Sequence, residues 1–291
     1  MVFKMKYSGI GGQAVMEGVM MKNQEKYAVA VRKPDHEIEV KVSEYTGIIQ
    51  NKKIRNMPIL RGVFSFIESL VLGMQTLTYS ASFFEDEEAD KKKETMSEQE
   101  RKKQEQKEKK QESAMLGGTV VLSIVLAVAV FMMLPYYIST LFQKVITSQW
   151  VIALLEGVIR LVIFIGYVAL ISLMKDIRRV YMYHGAEHKC INCIEHGLDL
   201  NVENVRKSSR FHKRCGTSFL LIVMLVSILF FMFIRVDSPI LRVVLRLLLI
   251  PVIAGVSYEF IRLAGRSDNA VVNLLSKPGL WLQGLTTKEP D

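Results

Sequence analysis

The sequence predicts an α-helical membrane protein with about four transmembrane helices and a small cytoplasmic α+β part. Three observations carry that expectation. Half of the 291 residues are apolar and the mean hydropathy is +0.22, too high for an ordinary soluble domain. Four apolar runs, at 116–138, 151–174, 218–235 and 241–263, approach or exceed the ~17–25 residues that a membrane-spanning helix needs. Ahead of them, 27–46 alternates apolar and polar residues with the period of a strand.

The chain begins with a glycine-rich stretch, YSGIGGQAVMEGVMMK at 7–22, around a lone acid, Glu17. A phosphate-cradling loop needs a strand before it, a helix after it, and Lys with Ser or Thr at fixed spacing; none of that is here. The expectation is a tight turn that carries Glu17 toward another part of the molecule. In 27–46 the alternation flanks Lys33-Pro34-Asp35-His36 and predicts a two-stranded hairpin. Tyr27, Val29 and Val31 are expected on one face, with Ile38, Val40 and Val42 supplying the matching one. After Pro58, residues Leu60, Val63, Phe64, Ile67, Leu70, Val71, Met74 and Leu77 form the apolar stripe of a helix, with Arg61, Ser65, Glu68 and Thr76 opposite. A helix lying at the membrane surface accommodates that polar side better than a fifth span does.

Residues 85–113 are almost all charged or amide-bearing and lack an apolar stripe, so they cannot bury enough surface to offset ordering entropy and read as a linker. The implied organisation is 1–84, hairpin plus amphipathic helix; 85–115, charged linker; 116–174, two spans; 175–217, a His/Cys-rich loop; 218–263, two further spans; and 264–291, an interfacial tail with Trp281 at headgroup depth. The first apolar run starts at 116, so it is not a cleavable signal peptide. Between the second and third runs lie Lys175, Arg178, Arg179, Lys189, Arg206, Lys207, Arg210, Lys213 and Arg214, whereas the first and second are joined by a segment holding only Lys144. That bias places 175–217 and both termini in the cytoplasm, of a multi-pass protein of the cell membrane. The net charge of +9 then reads as attraction to the lipid bilayer. Nucleic acid is excluded as a partner, because no basic groove with interleaved aromatics appears.

Within the runs, Glu156 with Arg160 and Arg242 with Arg246 are spaced i,i+4, the spacing of pairing networks inside a bundle. Glu259 lies near the cytoplasmic end of the fourth run, level with the histidine-rich segment.

That segment, HGAEHKCINC at 184–193, is answered by HKRCGTSF at 212–219, and together they hold three of the five histidines and all three cysteines. His184 and His188 share one face of a helix, with Glu187 beside them. As HxxEH this matches the inverted zinc-hydrolase signature, in which two imidazoles bind zinc and the carboxylate activates water. A second metal reading takes Cys190, Cys193, His212 and Cys215, a CxxC followed by HxxC, as a closed structural zinc site. The plain alternative is a polar helix end that holds no metal. In a reducing cytosol the three cysteines stay thiols rather than forming disulfides.

GGQAVMEGVMM, RGVFSFIESLVLGMQTLTYSA, YHGAEHKCINC, NVENVRKSSRFHKRCGTSFL, GVSYEFIRLAG and LQGLTTKEPD, six separated motifs in order, resemble the YqhQ-like family of bacterial multi-pass membrane proteins. The resemblance covers nearly the whole chain apart from the charged linker, and it implies a predicted metal-dependent enzyme. Members more often carry Thr at the position of Cys190 and Pro at that of Lys213, which weighs against Cys190 as an obligatory ligand. His184, His188, His212, Glu187, Cys215 and Glu259 fit the pattern.

Two functions follow from the sequence. One is a zinc-dependent hydrolase at the cytoplasmic membrane surface: His184 and His188 hold the metal with His212, Glu259 or Cys215, Glu187 is the general base, and Glu17 enters as a second acid. A lipid head group or a membrane-near peptide is the substrate class that this position allows. The other is a non-catalytic membrane factor that binds a partner protein or lipid, its cluster pinning the 175–217 segment to the spans.

Overall fold

A computed structural model describes residues 7–49, 51, 53, 56–84, 114–115, 117–234, 236, 238–267 and 269–291. The expected linker, 85–113, lies outside the described residues. Four strands come first: β1 (Ile10–Val15), β2 (Gly18–Asn23), β3 (Lys26–Arg32) and β4 (Ile38–Glu44). The helices are α1 (Leu60–Ala81), α2 (Gly117–Thr140), α3 (Gln149–Ile171), α4 (Lys175–Glu195), α5 (Val202–Lys207), α6 (Gly216–Met232), α7 (Pro239–Ala264) and α8 (Ala270–Thr286). The chain divides into two compact units, one formed by Met1–Phe83 with Phe164–Asp291 and the other by Phe84–Ile163.

In the first unit the strands form one antiparallel sheet in the order β1-β2-β3-β4. The glycine-rich stretch is therefore a hairpin, its two-residue turn closed by the pair Val15 and Gly18, with Glu17 at φ 48°. The predicted hairpin is β3–β4, but its register differs from expectation. Val29 pairs with Lys41 and Val31 with Glu39, whereas Ile38, Val40 and Val42 pair with Arg32, Ala30 and Ala28. The two apolar rows thus lie on opposite faces, because a strand's side chains alternate and register parity alone decides which rows meet. Val29 and Val31 are buried with Val15 and Met20, while Val40 is 58% exposed and Val42 69%.

Helix α1 covers that buried face. Gln13 Nε2 donates to the Gly73 carbonyl at 3.3 Å, the Met16 N–H to Ser80 Oγ at 3.0 Å, and Lys41 Nζ stands 4.5 Å from the centre of the Tyr79 ring. Its polar side points inward, contrary to the usual sense of an amphipathic helix. Glu68 and Thr76 are buried, Glu68 accepts from the Ile48 N–H at 3.0 Å, Ser65 meets Tyr258 and Arg61 pairs with Glu259 of α7. Leu60, Ile67, Leu70, Met74 and Leu77 are left exposed on the outside.

Among the described residues, three helices are long and apolar enough to cross a membrane: Gly117–Thr140, Gln149–Ile171 and Ile240–Ala264. The third expected run forms the shorter helix α6, whose 17 residues span ~25 Å against a hydrocarbon core of ~30 Å. In the second unit, Ala129–Met133 of α2 is a π turn, and Arg160 of α3 donates to the Phe131 carbonyl there at 2.9 Å while pairing with Glu156 at 2.7 Å. The predicted i,i+4 pair is thus present, and it is buried, with Arg160 bridging to α2. In the first unit, Arg246 stands over the Phe231 ring at 4.9 Å. The tail folds as α8, packed on α6 with Leu282, Gln283 and Thr286 buried and Trp281 61% exposed.

Candidate metal centre

Helix α4 runs lengthwise along β1. Arg179 near its start grips Glu17 at the hairpin turn, and Glu195 at its end holds Ser8 ahead of the strand. One turn apart on α4, His184 and His188 present ring centroids 4.4 Å from each other. Cys215 reaches them from the start of α6, where its sulfur caps the helix by accepting from the Thr217 N–H at 3.3 Å. The same sulfur lies 3.3 Å from His184 Nε2.

Both imidazoles have their protons assigned by their partners. His184 Nδ1 lies 2.8 Å from the Thr286 carbonyl and His188 Nδ1 2.6 Å from the Arg210 carbonyl. A carbonyl only accepts, so each Nδ1 carries the hydrogen and each neutral ring keeps a lone pair on Nε2. The ligand atoms of His184, His188 and Cys215 lie within 4.8 Å of one another, and the group could hold a metal ion. Zn–N and Zn–S bonds of ~2.0–2.3 Å set neighbouring ligands ~3.5 Å apart, and two imidazoles backed by carbonyls plus one thiolate are the donor set of an open site.

Glu187 stands next to this group, its Oε2 3.5 Å from His188 Nε2. Burial pushes its carboxyl up to about 7, against the pull of His184 and Arg214. It fits only because β1 carries glycine opposite: a Cβ on Gly12 would stand 2.6 Å from Glu187 Cγ. The glycine-rich stretch thus serves a close approach as well as a turn.

His212 is beside the converging group and not within it. Its Nε2 is engaged by Glu195 Oε2 at 3.1 Å, and burial lowers its pKa with help from Arg214 while Glu195 opposes. Burial pushes Glu195 up, but the hydrogen bonds from His212 and Ser8 and the charge of Arg214 prevail and hold it at about 2. Two expected carboxylates are elsewhere. Glu17 pairs through both oxygens with Arg179, at 2.8 and 2.9 Å, and accepts from Tyr183 at 3.1 Å; Arg179 depresses its pKa. Glu259 is held by Arg61 and the Ile59 N–H. Neither lines the cavity around Glu187. The four-ligand thiolate site is not assembled either: Cys193 Sγ faces the carbonyls of Leu198 and Asp199, and all three cysteines are free.

The tail, read from the sequence as an interfacial segment, also holds the site together. After α8, Thr286 supplies the carbonyl for His184, Thr287 accepts from Arg210 at 2.8 Å, the Lys288 N–H donates to the Tyr181 carbonyl at 2.9 Å, Glu289 pairs with Lys189 and Asp291 with Arg179. Gln283 brackets His212, accepting from its N–H at 2.9 Å and donating to its carbonyl at 2.8 Å. A main-chain carbonyl has no residue type, which is why those of Thr286, Thr287 and Tyr181 were not legible. A cavity of ≈ 620 Å³ opens beside the cluster, bounded by β1, α1, α4, α6 and α7.

Fold and site together define a helical membrane protein with a His/His/Cys group able to hold a metal. Residues 57–291 match the family described as Protein of unknown function (DUF1385), and the chain belongs to that family. It is also 36% identical, over 281 residues, to the "Uncharacterized protein YqhQ" of Bacillus subtilis (strain 168), covering 96% of this chain and 86% of that protein. The YqhQ-like resemblance of the motifs is therefore shown. No solved structure matches the chain significantly.

Proposed function

We propose that this chain is a zinc-dependent hydrolase of the cell membrane. In this reading His184, His188 and Cys215 bind the ion, Glu187 is the general base, and the site faces the cytoplasm. The observation that supports it is the convergence of two Nε2 lone pairs and the Cys215 sulfur while both Nδ1 hydrogens are committed to carbonyls. A zinc ion there would supply Lewis acidity toward a carbonyl or phosphoryl oxygen. Glu187, buried and within 3.5 Å of His188 Nε2, is placed to take a proton from attacking water and return it to the leaving group. His212 is a positioning residue, since it acts through Glu195, and Glu17 ties the β1–β2 turn to α4.

The membrane arrangement belongs to the same reading. Helix α6 serves as a fourth, short span, the Lys and Arg bias puts 175–217 and both termini in the cytoplasm, and the outward apolar row of α1 lies in the bilayer interface. The test is elemental analysis of chelator-free protein, with one zinc per chain expected in wild type and none in His188→Ala or Cys215→Ala.

A second reading, a non-catalytic factor whose cluster is structural, is favoured by one feature: His188 and Cys215 are only 2% and 4% exposed, and the cluster is tied to the tail through Thr286. Glu187→Gln separates the two readings, because a structural cluster does not need that carboxylate.

A further inference from the structure

The cavity beside the cluster lies where a fifth strand of the sheet would run. The two-residue turn makes Val15 and Gly18 a hydrogen-bonded pair, so Gln13 and Gly11 are the next to bond β2, and the N–H and C=O of Gly12 and Ala14 point the other way. Among the described residues β1 pairs with β2 alone. Its outer edge faces the cavity, which Gly12 and Ala14 both line. Helix α1 packs on one face of β1 and α4 on the other, and residues of both line the cavity, so they form the two walls of this slot.

We propose that the slot binds an extended peptide segment that adds to β1 as a fifth strand. The inference rests on the hydrolase reading only for what happens next; the pairing itself needs no metal. Main-chain groups of Gly12 and Ala14 supply the hydrogen bonds, as in other strand additions at a sheet edge. Side chains of a bound strand alternate between the walls. Those turned toward α1 meet Phe66, with the ring of Phe219 of α6 centred 5.6 Å from it and tilted, so the peptide carries bulky apolar residues at alternate positions. Those turned toward α4 bring the main chain past His184, Glu187 and Cys215. There, water's oxygen adds to the amide carbon, the C–N bond breaks, and the proton taken by Glu187 goes to the departing nitrogen. An acyl chain also suits apolar walls, yet it leaves the outward groups of Gly12 and Ala14 without partners, and a peptide satisfies them.

The experiment uses the full chain in nanodiscs and a fluorescein-labelled hexapeptide of Val, Leu and Phe flanked by lysines. Binding is read by anisotropy in wild type and in metal-free His188→Ala. An ester is then substituted for each peptide amide in turn, which removes one N–H and leaves the protein untouched. The expected result is binding in both proteins, with about tenfold losses at every second ester position and little change between them. Ala14→Pro, at an edge position whose N–H faces the slot, is expected to lower affinity by a similar factor with unchanged metal content. Equal affinity for all ester analogues, or no binding by metal-loaded wild type, overturns strand addition and leaves the metal reading standing. Binding with period-two losses but no cleavage keeps strand addition and removes the hydrolase. Benzoylphenylalanine placed at Phe66 is expected to capture the peptide; capture of phosphatidylglycerol from the disc in its presence assigns the slot to an acyl chain and overturns the proposal.

Discussion

Cys215 Sγ and His184 Nε2 lie 3.3 Å apart although 31 positions separate them in the chain, and the contact is made by a sulfur that also caps helix α6. The residue that starts one helix is thus the third donor for two histidines on another. Cys215→Ser keeps the cap, since a hydroxyl accepts as well from the Thr217 N–H, but replaces a soft ligand with a weak one. Zinc is expected to fall well below one per chain in Cys215→Ser while the folded fraction stays near wild type. Full zinc in that variant would remove Cys215 from the ligand set.

Glu187→Gln is expected to retain zinc and to lower turnover by about 100-fold or more, because an amide cannot take up the proton. His212→Ala is expected to retain zinc and to lower the melting temperature, since its Nε2 is committed to Glu195 and its removal leaves a buried carboxylate short of a donor. Loss of zinc from His212→Ala would make it a ligand after all.

Gly185 of α4 sits against the tail, where an added Cβ would collide with the Lys288 carbonyl. Gly185→Ala therefore has to push the tail outward, straining the Thr286 carbonyl that orients His184. A destabilisation of about 1–3 kcal/mol in denaturant unfolding is expected, the usual cost of overpacking, together with weaker zinc retention against a chelator. An unchanged stability and metal content would show that the tail does not brace the site.

Glu195 is expected to contribute to acid sensitivity. Its folded pKa of about 2 lies below the ordinary 4.5, so its contribution to stability is fully present above the ordinary value. That contribution is lost as pH falls from about 4.5 toward 2, because the unfolded chain takes up the proton first. Glu195→Gln is expected to be less stable at neutral pH and to show a flatter acid limb of the melting temperature between pH 5 and about 3. Parallel acid limbs in the two proteins would place the acid sensitivity elsewhere.

Cysteine labelling from either side of the membrane is expected to reach residue 196 from the cytoplasm and residue 146 from outside, following the Lys and Arg bias. The reverse pattern overturns the topology and with it the argument that the native thiols stay reduced.

The sequence by itself determined what is local or compositional. The 184–188 spacing put two imidazoles and a carboxylate on one helix, alternation found the β3–β4 hairpin, and apolar runs found the three membrane-length helices and α6. These signals survive because helix and strand periods are fixed by backbone geometry over a few residues. Tertiary structure alone decided the rest. Register parity sent Val40 and Val42 away from Val29 and Val31, and Arg61 claimed Glu259 while Arg179 claimed Glu17. The inward polar side of α1 depends on partners in β1, α7 and the 45–49 segment, which no pattern within 60–81 encodes. The choice of Cys215 over Cys190 and Cys193 followed from where α6 starts against α4, and the carbonyls of Thr286 and Arg210 could be found only by folding the chain. Long-range pairing is set by how whole elements pack, and main-chain acceptors are identical at every residue, so neither leaves a mark in the order of side chains.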